Sequence, residues 1–245
     1  MFFDLQTWLL VALAAFAGAV LGGVGGFGTG VVLTAVLTPL IGIKAVVPVL
    51  AVAGVVINGG RFWFYRRFVH WPSVRRLLLP ALPCLLIGTQ LYAKLDAEAL
   101  GLLIGGVVIL SVPMRRVLKA RQIVVGPHGL ALGGGLFGFV NGFASGMGVL
   151  LVSFLYGAGL AGTTVLATDA LVSISIDLLR AMLFGRFALL DAGSALLGLA
   201  IGLLTLPGSW FAAWLVTRLQ ARLHAYVMDL LIVAGGLMII VNSVG

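Results

Sequence analysis

The feature that most constrains this chain is a run without charge between Asp4 and Lys44. A helix rises about 1.5 Å per residue, and roughly 20 residues cross the hydrocarbon core of a bilayer. The run is too long for one crossing. Across the whole chain only 9% of residues are charged and 62% are hydrophobic, whereas soluble domains carry about 25% charged residues. The sequence therefore predicts an integral membrane protein with almost no soluble part.

A glycine cluster within this run, LGGVGGFGTG at 21–30, contains a G-x-G-x-x-G pattern. A dinucleotide-binding loop needs an acidic residue about 20 positions further on, and the uncharged run supplies none. The cluster instead indicates a break in a membrane helix.

Cys84, His128 and His224 are isolated in the sequence. We therefore expect no enzyme activity, no cofactor and no metal site, and we expect the net charge of +8 to set membrane orientation rather than to bind nucleic acid.

The spacing of charges and glycines predicts an all-α polytopic fold in which helices break at the glycine-rich stretches. We expect ten helical segments. They lie near residues 7–23, 27–41, 45–65, 74–93, 97–114, 126–140, 143–159, 162–184, 190–216 and 223–243.

Three pairs of similar stretches indicate an internal duplication, with halves at 1–120 and 121–245. The stretch 24–30 matches 140–146, 58–68 matches 177–187, and 105–110 resembles 235–240. Five segments per half would make the halves inverted repeats, a common transporter architecture. Two parallel halves of four spans fit the charges equally well, and only the length of the glycine-bearing runs favours five.

The basic residues predict orientation by the positive-inside rule. With five segments per half, the side of the membrane that is rich in Lys and Arg is cytoplasmic, and both termini lie outside. The rich side collects Arg61, Arg66, Arg67, Arg75, Arg76, Arg115, Arg116, Lys119, Arg121, Arg218 and Arg222, and the other side holds Lys44, Lys94, Arg180 and Arg186.

The two glycine clusters are the candidate substrate site. A broken helix offers free N–H groups at a new N-terminus, which favours an anion, and paired interruptions in two halves mark the binding site of many transporters. The expected backbone positions are Gly25, Gly26, Gly28, Gly142 and Gly146, with side-chain hydrogen bonds from Thr29, Asn141 and Ser145. The alternative is that the glycines only permit close helix packing.

The eighth segment carries Asp169, Ser173, Asp177 and Arg180 on one helical face. Ionisable groups inside a membrane span are costly and normally face an interior cavity. Asp177 and Arg180 are close enough to pair, whereas Asp169 has no partner one turn away. We expect Asp169 and Asp177 to be the proton-coupling candidates. The third segment offers Asn58 and Arg61, with Val52 opposite Asp169, and we expect Arg61 and Arg180 to attract the anion at two mouths.

The stretches GGVGGFGTG, GFVNGFASGMG and YRRFVHW resemble the TauE/SafE sulfite exporter family over essentially the whole chain. The resemblance implies a multi-pass protein of the bacterial inner membrane that moves sulfite or organosulfonates, with the translocation centre at Gly22–Gly30 and Gly142–Gly148. The chain departs from the family pattern at Met147 and Asp169.

We therefore predict a secondary transporter of a small anion in the lipid bilayer, coupled to H⁺ or another ion or facilitative. The alternative is a non-transporting assembly or partner subunit. The substrate, the direction of transport and the formation of a homo-oligomer stay open.

Overall fold

The computed structural model describes residues 4–25, 28–120 and 124–216, together with the single positions 237 and 241. Within these ranges all regular structure is helical, which confirms the predicted class. The helices are α1 (Leu5–Gly25), α2 (Thr29–Ile41), α3 (Ile43–Tyr65), α4 (Trp71–Lys94), α5 (Ala97–Ala120), α6 (Pro127–Asn141), α7 (Gly148–Gly157), α8 (Gly162–Arg186) and α9 (Ala192–Val216), with a 3₁₀ turn at Arg66–Phe68. The tenth predicted segment, 223–243, lies outside the described residues except for those two positions.

Prolines and glycines set the helix boundaries that the sequence predicted. Pro127 lies in the first turn of α6, where its missing N–H costs nothing. Gly42, with φ of 77°, separates α2 from α3, and Gly159, with φ of 81°, lies between α7 and α8. Such positive φ angles are readily adopted only by glycine. The break between α6 and α7 is wider than predicted, because α7 begins at Gly148 and not near 143.

Several helices have the length and apolar character of membrane spans. Within the described part of the chain these are Leu5–Gly23, Ile43–Phe68, Trp71–Lys94 and Ala192–Ala212. The apolar helices Thr29–Ile41 and Gly148–Gly157 are shorter. At about 1.5 Å per residue, neither can cross roughly 30 Å of hydrocarbon by itself. Each of these two short helices therefore reaches only part of the way through the hydrocarbon core.

Two matching pairs of helices pack through small residues. On α6, Gly134 faces Leu77 of α4, Gly138 faces Ala81, and a Cβ at Gly142 would lie 2.6 Å from Gly88 Cα. Residue numbers rise together on the two helices, so α4 and α6 run parallel. Small residues spaced by four allow backbones this close, so three glycines of the second cluster serve helix packing, as the alternative interpretation expected.

The same parallel packing joins α1 to α9. A Cβ at Gly208 would lie 2.5 Å from the carbonyl oxygen of Phe16, and one at Gly23 would lie 2.5 Å from Ala212 Cβ. In the predicted repeat, α1 corresponds to α6 and α9 corresponds to α4. The two predicted halves would therefore use corresponding helices for corresponding contacts.

The central helices α3 and α8 run antiparallel. Gly54 contacts Asp177, Asn58 donates to Asp177, and Arg61 pairs with Asp169. Residue numbers rise on α3 while they fall on α8. These two helices carry most of the buried charge of the described residues and place it between the halves.

Aromatic and basic side chains gather at the end of α3 and the start of α4. Trp63 and Trp71 are exposed, and the Arg66 guanidinium lies 4.0 Å from the centre of the Trp63 ring. The backbone N–H of His70 donates to Thr168 Oγ1 at 3.1 Å. Tryptophan and arginine are typical of the boundary between membrane and water, so the composition of this loop suits such a boundary.

Candidate functional site

The two glycine-rich breaks meet at the centre of the protein. Helix α1 folds back onto α2, since Gly18 packs against Val32 and Gly22 packs against Thr29. In the second half, Gly133 of α6 packs against Phe154 of α7. Both hairpins therefore turn at a glycine cluster, and their tips face each other.

Contact between the tips leaves no room for side chains. A Cβ at Gly30 would lie 2.6 Å from Gly146 N, and a Cβ at Gly146 would lie 3.0 Å from the carbonyl carbon of Gly30. Gly28 has φ of 109° and Gly146 has φ of 85°. Glycine is needed here for its conformation and for the close approach of backbone to backbone.

A cavity of about 90 Å³ lies beside this junction. One water molecule needs roughly 10–15 Å³ of cavity volume, so this cavity suits several waters or a small ion. The start of α2 and the start of α7 both border it. The lining includes Gly28, Thr29, Gly30, Leu50, Gly54, Asn58, Arg61, Asn141, Ser145, Gly146, Met147, Gly148, Asp169, Ser173, Asp177, Arg180 and Ser209.

Two helix N-termini thus end at the same cavity, one from each half. The first N–H groups of a helix have no partner within the helix, and the helix dipole places roughly half a positive charge at that end. Helix α2 begins at Thr29 and α7 begins at Gly148. This arrangement favours an anion.

A chain of polar side chains crosses the cavity between α3 and α8. Arg61 Nη2 lies 2.7 Å from Asp169 Oδ2, and Arg61 Nη1 donates to Asn58 Oδ1 at 3.2 Å. Asn58 Nδ2 donates to Asp177 Oδ2 at 2.9 Å, and Arg180 Nη2 lies 2.8 Å from Asp177 Oδ1. The predicted pairing of Asp177 with Arg180 is confirmed.

Asp169 pairs with Arg61, a partner that the sequence argument did not identify. The sequence argument searched one turn away on the same helix. The actual partner lies 108 positions earlier, on α3 of the other half. Only tertiary packing brings these two groups together.

Arg180 is an interior residue, exposed by only 2%, and does not lie at a mouth. Its Nη1 donates to the carbonyl oxygens of Asn141 at 2.8 Å and Ala144 at 3.1 Å. These carbonyls belong to the C-terminal end of α6 and the turn after it. A cation at a helix C-terminus is favourable, so Arg180 stabilises the break in its own half. Arg61 is also partly buried, with 15% of its side chain exposed.

Three buried polar atoms of the lining residues have no hydrogen-bond partner in the described structure: Ser145 Oγ, Asp169 Oδ1 and Arg180 Nε. Buried polar groups are nearly always satisfied, so their presence at one cavity marks it as a place for a polar occupant. Two of the three can donate a hydrogen bond to an anion.

The family model described as Sulfite exporter TauE/SafE matches residues 10–239 of the chain. The chain belongs to the TauE/SafE sulfite exporter family. This match confirms the resemblance. Together with the apolar spans, it indicates a multi-pass membrane protein of a transporter family with a small anionic substrate. No curated protein and no solved structure matches the chain.

The cavity of this TauE/SafE member contains ten of the predicted site residues: Gly28, Thr29, Asn58, Arg61, Asn141, Ser145, Gly146, Asp169, Asp177 and Arg180. Gly142 lies instead against Gly88 of α4. Gly25 ends α1. Gly26 lies outside the described residues.

Two predicted donors are already in use within the fold. The Thr29 hydroxyl donates to the carbonyl oxygen of Gly18 at 2.9 Å, and Asn141 Nδ2 donates to the carbonyl oxygen of Phe137 at 2.9 Å. The Thr29 bond depends on the α1–α2 hairpin, and the Asn141 bond depends on where α6 ends. The sequence does not give the detailed geometry of either feature. Ser145 keeps a free hydroxyl and is the strongest of the three predicted side-chain ligands.

Sequence reasoning missed Leu50 and Gly54. The repeat places residue 58 opposite 177, so an unbroken helical register places Leu50, and not Val52, opposite Asp169. In the structure Leu50 lines the cavity, whereas Val52 packs against Gly198. A consistent offset along the repeat would have identified the position.

We expect Gly54→Ala to destabilise the charged network. A methyl group at this position would overlap the Asp177 carboxylate, and overpacking of this kind costs about 1–3 kcal/mol. Thermal denaturation followed by size exclusion in detergent should show a lower midpoint. Gly59→Ala is the matched control on α3, because its Cβ would lie 3.5 Å from Ile174 Cδ1, an ordinary contact. Equal midpoints for the two variants would contradict the assigned packing.

Proposed function

We propose that this chain is a secondary transporter of a small anion, with sulfite or an organosulfonate as its substrate. The observation that carries the proposal is the meeting of two helix N-termini, α2 and α7, at one cavity. A sulfur oxyanion presents several acceptor oxygens and needs several donors. The exposed ends of two helices, the Ser145 hydroxyl and the Arg61 guanidinium supply them.

Alternating access follows if the halves are inverted repeats, and two contacts support that arrangement. Gly30 contacts Gly146 and Asn58 contacts Asp177, and in both cases the residue touches its own counterpart in the repeat. Self-matched contacts are the mark of a two-fold axis. Because the corresponding helices α3 and α8 run antiparallel, that axis is perpendicular to them and lies in the membrane plane.

Such an axis through the cavity gives a simple transport cycle. Two similar halves can rock against each other about a fixed site, so that the cavity opens to one side and then to the other. The sequence contains no ATP-binding motif, so an ion gradient or the substrate's own gradient supplies the energy. Proton coupling through Asp169 and Asp177 and residence in the bacterial inner membrane stay predictions.

Purified protein in liposomes should move labelled sulfite or methanesulfonate, and Gly28→Leu should abolish the flux. Leucine at Gly28 would be strained at φ of 109° and would occupy space beside the cavity. Gly106→Leu is the control, because nothing lies within 4 Å of a Cβ at that position of α5. Absence of flux in the unaltered protein, with a second protein co-purifying, would indicate the non-transporting alternative.

A further inference from the structure

We propose that the cavity takes up its anion only together with one proton, and that the proton binds to Asp169 and so frees Arg61 for the anion. This inference rests on the proposed transport function and adds its coupling chemistry. It begins with the charge of the cavity. The described lining contains two cations, Arg61 and Arg180, and two anions, Asp169 and Asp177.

With all four groups ionised, these charges cancel. An anion that entered alone would leave one unbalanced negative charge in a site shielded from water. Uncompensated charge inside a membrane protein is expensive. Protonation of one carboxylate removes this cost, because the loaded cavity is then neutral, as the empty cavity is.

The contacts assign the proton to Asp169 and not to Asp177. Asp177 is bound by both Asn58 and Arg180. Arg180 cannot follow an anion, because its Nη1 also holds the carbonyl oxygens of Asn141 and Ala144. This part of the network is required by the fold around the α6 break.

Arg61 is held less tightly. Its described side-chain partners are Asn58 and Asp169, and its side chain is 15% exposed. Asp169 Oδ1 has no hydrogen-bond partner and is available to receive a proton. When that oxygen becomes O–H, the ion pair with Arg61 ends and Arg61 Nη2 can bind an oxygen of the anion. Release of the anion and of the proton restores the pair.

Among the described residues, few other charged or titratable groups lie around Asp169. Arg61 faces it from α3, and Ser173 and Asp177 neighbour it on α8. From the loop before α4, His70 reaches the adjacent residue through its backbone bond to Thr168. His70 is exposed, and a His70→Gln variant controls for its contribution.

The test counts protons and charge in the same liposomes. Labelled methanesulfonate is used because a sulfonate stays ionised throughout the working pH range, so any proton that moves belongs to the protein. An inward methanesulfonate gradient should acidify the lumen by one proton per anion, read with a trapped pH dye. Setting the membrane potential with potassium and valinomycin should leave the flux unchanged. Above the titration range of Asp169, uptake should fall about tenfold for each pH unit.

Asp169→Asn should separate the two movements. The variant leaves Arg61 charged and unpaired at every pH, so anion flux should continue without acidification and should now respond to the membrane potential. Asp191→Asn is the matched control, since Asp191 is exposed at the start of α9 and the Ser194 N–H lowers the pKa of its carboxyl group. It should behave as the unaltered protein, as should His70→Gln.

Each outcome decides a different claim. Anion flux that carries current without acidification in the unaltered protein would overturn the coupling proposal and leave the transport function standing. A pH dependence of the flux that is lost in His70→Gln but kept in Asp169→Asn would overturn the assignment of the proton to Asp169. No flux of any tested anion would overturn the transport function and the coupling proposal with it. The proton count in the unaltered protein decides whether the anion and the proton are coupled, even if Asp169→Asn does not fold.

Discussion

Gly146→Ala is expected to reduce transport to background while leaving the membrane spans in place. At φ of 85° an L side chain is strained, which costs about 1–2 kcal/mol. The new Cβ would also lie 2.7 Å from Val31 N and 3.0 Å from the carbonyl carbon of Gly30. Because both neighbours are backbone, the hairpin tips must separate, and the two helix N-termini lose their common position at the cavity. Flux of labelled methanesulfonate and the thermal midpoint in detergent measure the two effects.

Gly159→Ala isolates the first of these causes, the backbone strain. Gly159 has a similar φ of 81°, but nothing lies within 4 Å of a Cβ built on it. This variant should lose about 1–2 kcal/mol of stability from backbone strain alone and should keep its transport rate. If both alanine variants transported equally well, contact between the hairpin tips would not be needed for function.

Arg180→Gln is expected to produce the largest loss of stability. It leaves the Asp177 carboxylate without its cation and leaves the carbonyl oxygens of Asn141 and Ala144 without their donor. Removing one member of a buried ion pair costs about 3–5 kcal/mol. We expect little folded protein after extraction, measured by fluorescence-detected size exclusion.

The double variant Arg180→Gln with Asp177→Asn separates charge from capping. It removes the uncompensated carboxylate but does not restore the bonds to the α6 carbonyls, so it should recover part of the lost stability. Full recovery would show that Arg180 stabilises only by pairing with Asp177. A single Arg180→Gln variant with an unchanged midpoint would contradict the buried role of this residue.

Much of the fold was predictable because a bilayer allows few solutions. A run as long and uncharged as 5–43 must fold as helix, and the glycines inside it must mark a break. The predicted boundaries of α3, α4, α8 and α9 agree with the structure within a few residues. The position of the cavity was also predictable in outline, because both breaks occur at corresponding places in the two halves.

The partners of individual side chains were less predictable. Gly142 and Gly146 belong to one cluster in the sequence, yet Gly142 packs against α4 while Gly146 meets the other hairpin. Thr29 and Asn141 were expected to bind an anion, but each donates to a backbone carbonyl. These outcomes depend on which helix lies within a few ångströms, and sequence spacing does not report that distance.

By itself, the sequence determined that the chain is a helical membrane protein with helices broken at its glycine-rich stretches, because hydropathy and backbone conformation act locally along the chain. Only the tertiary structure decided that Arg61 pairs with Asp169 and that Arg180 closes the end of α6. Buried charges are stable only when a partner lies within hydrogen-bond distance, and here those partners come from elements that are distant in sequence and adjacent only after the halves have packed together.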